Sequence, residues 1–301
     1  MSVDLNYTNR RPIPASNLII YNHFNRQRGT LRRPMQVWKL ILSYDGTNFH
    51  GWQVQPSLTT IQGTLADAIH QITGERVLPQ GSGRTDSGVH ALGQVATFKL
   101  AATIPPASMV RALNRALPPA IRVLSATHAP EDFHARHSAI RKSYEYRIFP
   151  RVPILRSDPD RICPPHVAPY VWDCPWHIDL DLAQRAAAQI IGEHDFTSFA
   201  AVDPDLTTRL GADPTSAVRT IFRSRWHFES GIVTYRVTGS GFLHHMVRNL
   251  VGTFVDVASA RIPPNSIAEI LQARNRSAAG HTAPARGLFL VSVEYPAQAQ
   301  L

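Results

Sequence analysis

The stretch Gly83-Arg84-Thr85-Asp86-Ser87-Gly88-Val89-His90-Ala91 lies between two apolar runs, Val77-Leu78 before it and Val95 to Leu100 after it. Glycines at 81, 83 and 88 let the backbone enter left-handed conformations and let a ligand approach with no Cβ in the way. The segment therefore reads as a shaped loop held by scaffold elements on both sides. Arg84, Asp86 and His90 are its groups able to do chemistry. A carboxylate two residues from a guanidinium can stay ionised and face a substrate. An aspartate beside a glycine also caps turns, and the loop alone leaves both readings open. Phosphate-loop readings fail, because the Gly-Lys-Ser/Thr ending of a Walker A loop is missing and the glycine spacing is not G-x-G-x-x-G.

On the N-terminal side, Val37 to Ser43 is a short apolar run that reads as a strand, and it feeds the segment YDGTNFHGWQVQP, Tyr44 to Pro56. Thr59 and Gln62 have the spacing of a capping box, and Ile61, Leu65, Ala68, Ile69 and Ile72 recur at helical intervals up to Gly74. On the C-terminal side, Gln94 to Leu100 reads as a strand. Pro106 to Leu117 reads as a helix with Met109, Leu113, Ala116 and Leu117 inward, closed by Pro118-Pro119. Arg111 and Arg115 share one face of it, a solvated face or a track for phosphates.

Ile121 to Ala126 is again strand-like. From Phe133 to Phe149, the basic residues Arg136, Arg141, Lys142 and Arg147 and the titratable His137 alternate with aromatics, a pattern suited to stacking bases and gripping a backbone. Tyr144, Tyr146 and Ile148 share one strand face, which is equally compatible with plain core. Pro150 to Pro175 reads as a long surface connection, Asp181 to Ile191 as a helix ended by Gly192, and Ala201 to Ser216 as a polar, mobile loop. Ser230-Gly231 marks a hairpin between Val218–Phe228 and Ile232–Thr238. Apolar residues at 242, 243, 246, 247, 250, 251 and 254 predict a buried helix, within which Arg248 is the outlying charge. A helix over Asn265 to Ala273 and a strand within Thr282 to Tyr295 complete the chain.

At 301 residues, with 44% hydrophobic content, there is room for about two domains, each with its own core. Lysine and arginine outnumber the acids 31 to 22, a net charge of +9, which points to a polyanion and most commonly to nucleic acid. No apolar run reaches membrane-spanning length and the first thirty residues contain no hydrophobic signal core, so a cytoplasmic protein without a membrane partner is expected. Two cysteines fit a reducing compartment. The expected architecture is α+β: a flexible basic extension over 1–34, then two domains, 35–138 and 139–297, each a largely antiparallel sheet with helices on one face, and a basic cleft between them. The extension has arginines at 10, 11, 26, 28, 32 and 33 against one acid, Asp4, and reads as a tail or as an arm touching RNA.

Six segments in order, spanning about Val37 to Tyr295, resemble the tRNA pseudouridine synthase A family: YDGTNFHGWQVQP, GRTDSGVHA with Gly93-Gln94-Val95, the FHAR…YEYRI segment, GEHDFTSF, FLHHMVR and TAPARGLFL. The resemblance implies isomerisation of uridine to pseudouridine at positions 38, 39 and 40 of the tRNA anticodon stem-loop, with tRNA as partner, a homodimer holding it, and no cofactor. It places the family's aspartate on Asp86 as nucleophile, its basic active-site residue on Arg248 as the ion-pair partner of Asp86, and its active-site tyrosine on Tyr144. In that frame Leu288 is an apolar wall against the base, and Arg84 fills the place of a flipped nucleotide or holds its phosphate. A tRNA-binding protein without catalysis is the competing class. The Gly-framed aspartate favours an enzyme, because a lone carboxylate facing phosphates weakens binding.

Two metal readings compete. Cys163-x-x-His166 and Cys174-x-x-His177 have the composition of a structural zinc site, but prolines at 164, 165 and 175 interrupt both pairs and the resemblance calls for no metal. His244-His245, read as part of a helix, would point about 100° apart. No metal site is therefore expected.

Overall fold

The computed structural model describes residues 35–154, 161–201 and 217–297; the basic extension 1–34 and nearly all of the polar 201–216 segment lie outside the described residues. Among these are ten strands, β1 (Gln36–Tyr44), β2 (Gln80–Gly81), β3 (His90–Leu100), β4 (Ile121–His128), β5 (Arg141–Pro150), β6 (Trp172–Cys174), β7 (Gly192–Asp195), β8 (Val218–Glu229), β9 (Ile232–Gly239) and β10 (Leu288–Glu294). Five α-helices accompany them, α1 (Ile61–Thr73), α2 (Pro106–Ala116), α3 (Leu180–Ala188), α4 (Met246–Ala258) and α5 (Ser266–Ala273).

The alternation of QVWKLILSY decides the two faces of β1. Trp38, Leu40, Leu42 and Tyr44 enter a core cluster that also takes Ile61, Leu65 and Ile69 from α1, Met109 and Leu113 from α2, and Leu250 and Phe254 from α4. Ile41 on the other face packs with a small cluster of Val95, Phe133, Ala135 and Tyr295. Lys39 lies over the Phe133 and Tyr295 rings there, and burial holds its ammonium below the usual lysine range. The helices thus pack on one side, and each large side chain they bury is worth about 1.5–3 kcal/mol.

One sheet in the order β4-β1-β3-β10-β5-β9-β8-β7 runs through both halves of the chain, with β2 added on β3 and β6 on β5. Its neighbours are antiparallel except β3–β10 and β5–β6. The join between the halves is the short parallel β3–β10 contact, Phe289 opposite His90 and Leu290 opposite Ala91. The β8–β9 turn is made by Ser230 at φ 51° and Gly231 at φ 80°, the two positive values that a tight hairpin needs.

Three local readings are corrected. The cap of α1 is Thr60, whose side chain accepts from the Gly63 amide, and not the Thr59–Gln62 box. Gln62 is buried instead, accepting from the Val54 amide and donating to the Pro79 carbonyl. Helix α3 begins after Asp179, which accepts from the Asp181 and Leu182 amides, and ends at Gln189, so Gly192 at φ 108° opens β7 rather than capping a helix. Helix α4 begins at Met246, four residues later than the apolar pattern suggested. Every residue of it but Arg248 is buried, so it fills the core on all its sides.

Candidate active site

The Gly83–Ala91 loop is clamped by the earlier Tyr44–Trp52 segment. Trp52 N–H donates to the Thr85 carbonyl at 3.0 Å, Thr85 Oγ1 shares a 2.9 Å hydrogen bond with the Tyr44 hydroxyl, and Ser87 Oγ and Gly88 N–H both donate to the Phe49 carbonyl. Gln94 holds the loop from β3, donating to the Gly83 carbonyl at 2.9 Å while accepting from Ser82 Oγ at 2.7 Å. Gly51 sits at φ 81°, and a Cβ on it would stand 2.6 Å from the Thr85 carbonyl oxygen, so this crossing of two backbones needs glycine. From β5, Lys142 Nζ donates to the Ser82 carbonyl at 2.6 Å, and burial pushes its ammonium down to about 8.

Asp86 lies just before the turn at Ser87-Gly88. Arg248 Nη1 donates to Asp86 Oδ2 at 2.9 Å, while Arg248 Nε donates to the Ala283 carbonyl at 2.8 Å. The Ala283 amide in turn donates to the Arg248 carbonyl at 3.1 Å, so the Thr282-Ala283-Pro284 segment locks the arginine in place. The neighbouring Asn249 fixes that segment, its Oδ1 accepting from Thr282 Oγ1 and Arg276 Nη2. The Asp86 and Arg248 side chains are only 19% and 15% exposed, so their attraction is screened far less than that of a surface pair.

His244 and His245 also meet this carboxylate, against the expectation that they would point apart. They precede α4 instead of belonging to it, and His245 takes a left-handed conformation at φ 58°. That turn brings the two rings to 4.0 Å and sets His245 Nε2 at 3.3 Å from Asp86 Oδ2 and His244 Nε2 at 3.6 Å from Oδ1. Desolvation holds the His245 imidazole below the usual histidine range, with Asp86 opposing. The two histidines are the site residues that sequence reasoning missed, because no sequence signal marks a positive φ at a histidine.

Tyr144 is buried in the same core as Tyr146 and Ile148, with its ring edge-on to Phe242 at 5.1 Å and its hydroxyl beside Gly83. Burial first, then the neighbouring Tyr44 and Asp86, push its hydroxyl far above the usual tyrosine range, so it is a hydrogen-bond donor at neutral pH. Leu288 opens β10 opposite Tyr146 and is buried in the core. Arg84 is exposed on the loop.

His90 is a structural pin, although the loop reading grouped it with the reactive side chains. Its Nδ1 accepts from the Gly46 amide at 3.1 Å, which places the ring proton on Nε2 facing the Arg286 carbonyl at 3.2 Å, and the ring stacks on Phe289 at 4.6 Å. Burial lowers its pKa, with Asp45 pulling the other way. A depressed folded value means that the unfolded chain binds the proton first as pH falls. The stabilising contribution is therefore complete above about 6.5 and is lost as pH drops through the lowered folded value. Urea unfolding is expected to show stability falling between pH 7.5 and 5, and His90→Asn is expected to flatten that fall; an equal slope in the variant would show that His90 carries none of it.

Cys163 and Cys174 do not assemble a metal site with His166 and His177: among the described residues, the group of three or more potential ligands is Asp86, His244 and His245. Cys174 is buried, which pushes its thiol up to about 11. No helix of the described residues is long and apolar enough to cross a membrane.

A family model described as tRNA pseudouridine synthase matches residues 40–138 and 186–296. Relatives bearing the name tRNA pseudouridine synthase A include that of Solibacter usitatus, 47% identical over 87% of this chain and 100% of the relative. Those of Moorella thermoacetica and Caldicellulosiruptor bescii are 42% and 40% identical, covering 87% and 85% of this chain and 100% and 98% of theirs.

Proposed function

Because the chain belongs to the tRNA pseudouridine synthase family, we propose that it isomerises uridine to pseudouridine in tRNA, at positions 38, 39 and 40 of the anticodon stem-loop, with Asp86 as nucleophile. The observation that supports the reading most directly is the Asp86–Arg248 ion pair, which joins a rigid loop to a residue 162 positions further on. A protein that only gripped RNA would have no use for a carboxylate held this firmly in a chain of net charge +9.

The reaction breaks the N1–C1′ glycosidic bond, turns the uracil and joins C5 to C1′; the C5 hydrogen leaves as a proton and N1, freed from the ribose, takes up one. Atoms and electrons balance without a redox partner. Asp86 supplies the electron pair, to ribose C1′ or uracil C6, and is expelled when the new bond is complete. Arg248, anchored on Ala283, orients the attacking oxygen and stabilises the returning carboxylate. Tyr144 donates to or stacks on the base, Leu288 walls it, and Arg84, exposed on the same loop two residues before Asp86, reaches the phosphate or the gap left by the flipped nucleotide. A basic cleft, a homodimer holding the tRNA and action in the cytoplasm belong to the same proposal.

The deciding experiment is pseudouridine mapping of unmodified tRNA incubated with the purified protein. The expected result is conversion confined to the anticodon stem-loop. Bound but unconverted tRNA would remove the enzymatic reading, and conversion elsewhere would remove the assignment of positions.

A further inference from the structure

We propose that Asp86, His244 and His245 form a binding site for one divalent transition-metal ion of borderline softness, such as zinc, and that the bound ion blocks the carboxylate. Two imidazoles and a carboxylate are the donors that such ions take in preference to magnesium or calcium. The three ligand atoms lie within 4.8 Å of one another. The histidines face different oxygens of the carboxylate, His245 Nε2 at 3.3 Å from Oδ2 and His244 Nε2 at 3.6 Å from Oδ1, and each spacing is close to the separation of about 3.3 Å between neighbouring ligands on an ion with tetrahedral bonds of about 2.0–2.1 Å.

Two further features favour an ion here. The left-handed turn at His245 holds the two rings on one side of the carboxylate, so little order is lost on binding. Both imidazoles are 29% exposed, which leaves an entry path. The charge that opposes a cation most directly is Arg248, held on Oδ2 by its second bond to Ala283, and Arg276 adds a smaller repulsion at His245. Affinity is therefore set by competition between the ion and the guanidinium for one carboxylate, and an ion that wins removes the oxygens that Asp86 needs for attack.

The full chain, stripped of metal by a chelator, is titrated with zinc by calorimetry and with cobalt(II) by visible absorption. One equivalent is expected to bind, with cobalt bands lacking sulfur-to-metal charge transfer. His244→Gln and His245→Asn are each expected to weaken binding roughly tenfold or more; asparagine tolerates the left-handed backbone at 245 and keeps the fold testable. Arg248→Met is expected to tighten binding several-fold by removing the adjacent charge. Absence of saturable binding, equal affinity in both histidine variants, a thiolate band from Cys163 or Cys174, or magnesium binding as well as zinc would each overturn the site.

The blocking step rests on the proposed role of Asp86 and has its own measurement. Buffered free zinc is expected to stop C5 hydrogen release from tRNA, and a chelator to restore it; release that continues on the zinc-loaded protein overturns the block. A protein inactive even without zinc would count against the isomerase reading, whereas the calorimetry decides the site with no activity needed.

Discussion

Asp86→Ala is expected to lower turnover roughly 10⁴-fold or more while leaving tRNA affinity within about tenfold, the pattern of a group that acts in the transition state and contributes little to ground-state binding. The physical ground is that the loop needs little from this side chain. Thr85, Ser87, Gly88 and Gln94 make the bonds to neighbouring segments, and the Asp86 carbonyl, which the substitution retains, accepts from Val89 at 3.1 Å. Arg248 keeps its bond to Ala283 when the carboxylate is gone. The measurement is release of the C5 hydrogen alongside a filter-binding isotherm. Survival of turnover within a factor of about ten of the parent would reassign the nucleophile.

Arg248→Met is expected to cost about 10² to 10³ in kcat, with a much smaller change in KM. Breaking a fully buried pair by removing one partner costs about 3–5 kcal/mol of stability. Here both groups retain some solvent, so a loss of about 1–3 kcal/mol is expected. Arg248→Lys is expected to recover only a small part of the rate. The guanidinium serves Ala283 through Nε and Asp86 through Nη1 at once, whereas an ammonium has no rigid fork to span the two acceptors. Full activity in the lysine variant would show that charge alone, and not the two-point anchor, matters.

Much of this architecture was legible before any coordinates. The apolar run from Val37 to Ser43, the Ser230-Gly231 turn and the helical periodicity from Ile61 to Gly74 are local signals, and the elements they predict are present. The errors have local causes as well. Phe242 and Leu243 continue the apolar pattern of α4 because both pack against the core, although their backbone is not helical. Nothing in the letters marks a histidine at φ 58°, and so the arrival of two imidazoles at Asp86 went unread. The parallel join of β3 to β10 is invisible for another reason: pairing across about two hundred residues leaves no periodic trace, and its two matched residue pairs are indistinguishable from ordinary core. The partnership of Asp86 with Arg248 came from family resemblance, with the burial pattern supplying only the hint that one charge in a buried helix needs an explanation.

That short parallel join has a further meaning for how the protein is made. Strand β10 is the last of the ten to leave the ribosome, yet it lies in the middle of the sheet, between β3 and β5. A nascent chain that stops short of Leu288 can hold the aspartate loop, but it has only half of a sheet on either side of an open slot. Closure of the sheet between β3 and β5 therefore waits on Leu288–Glu294, long after the aspartate loop has been made.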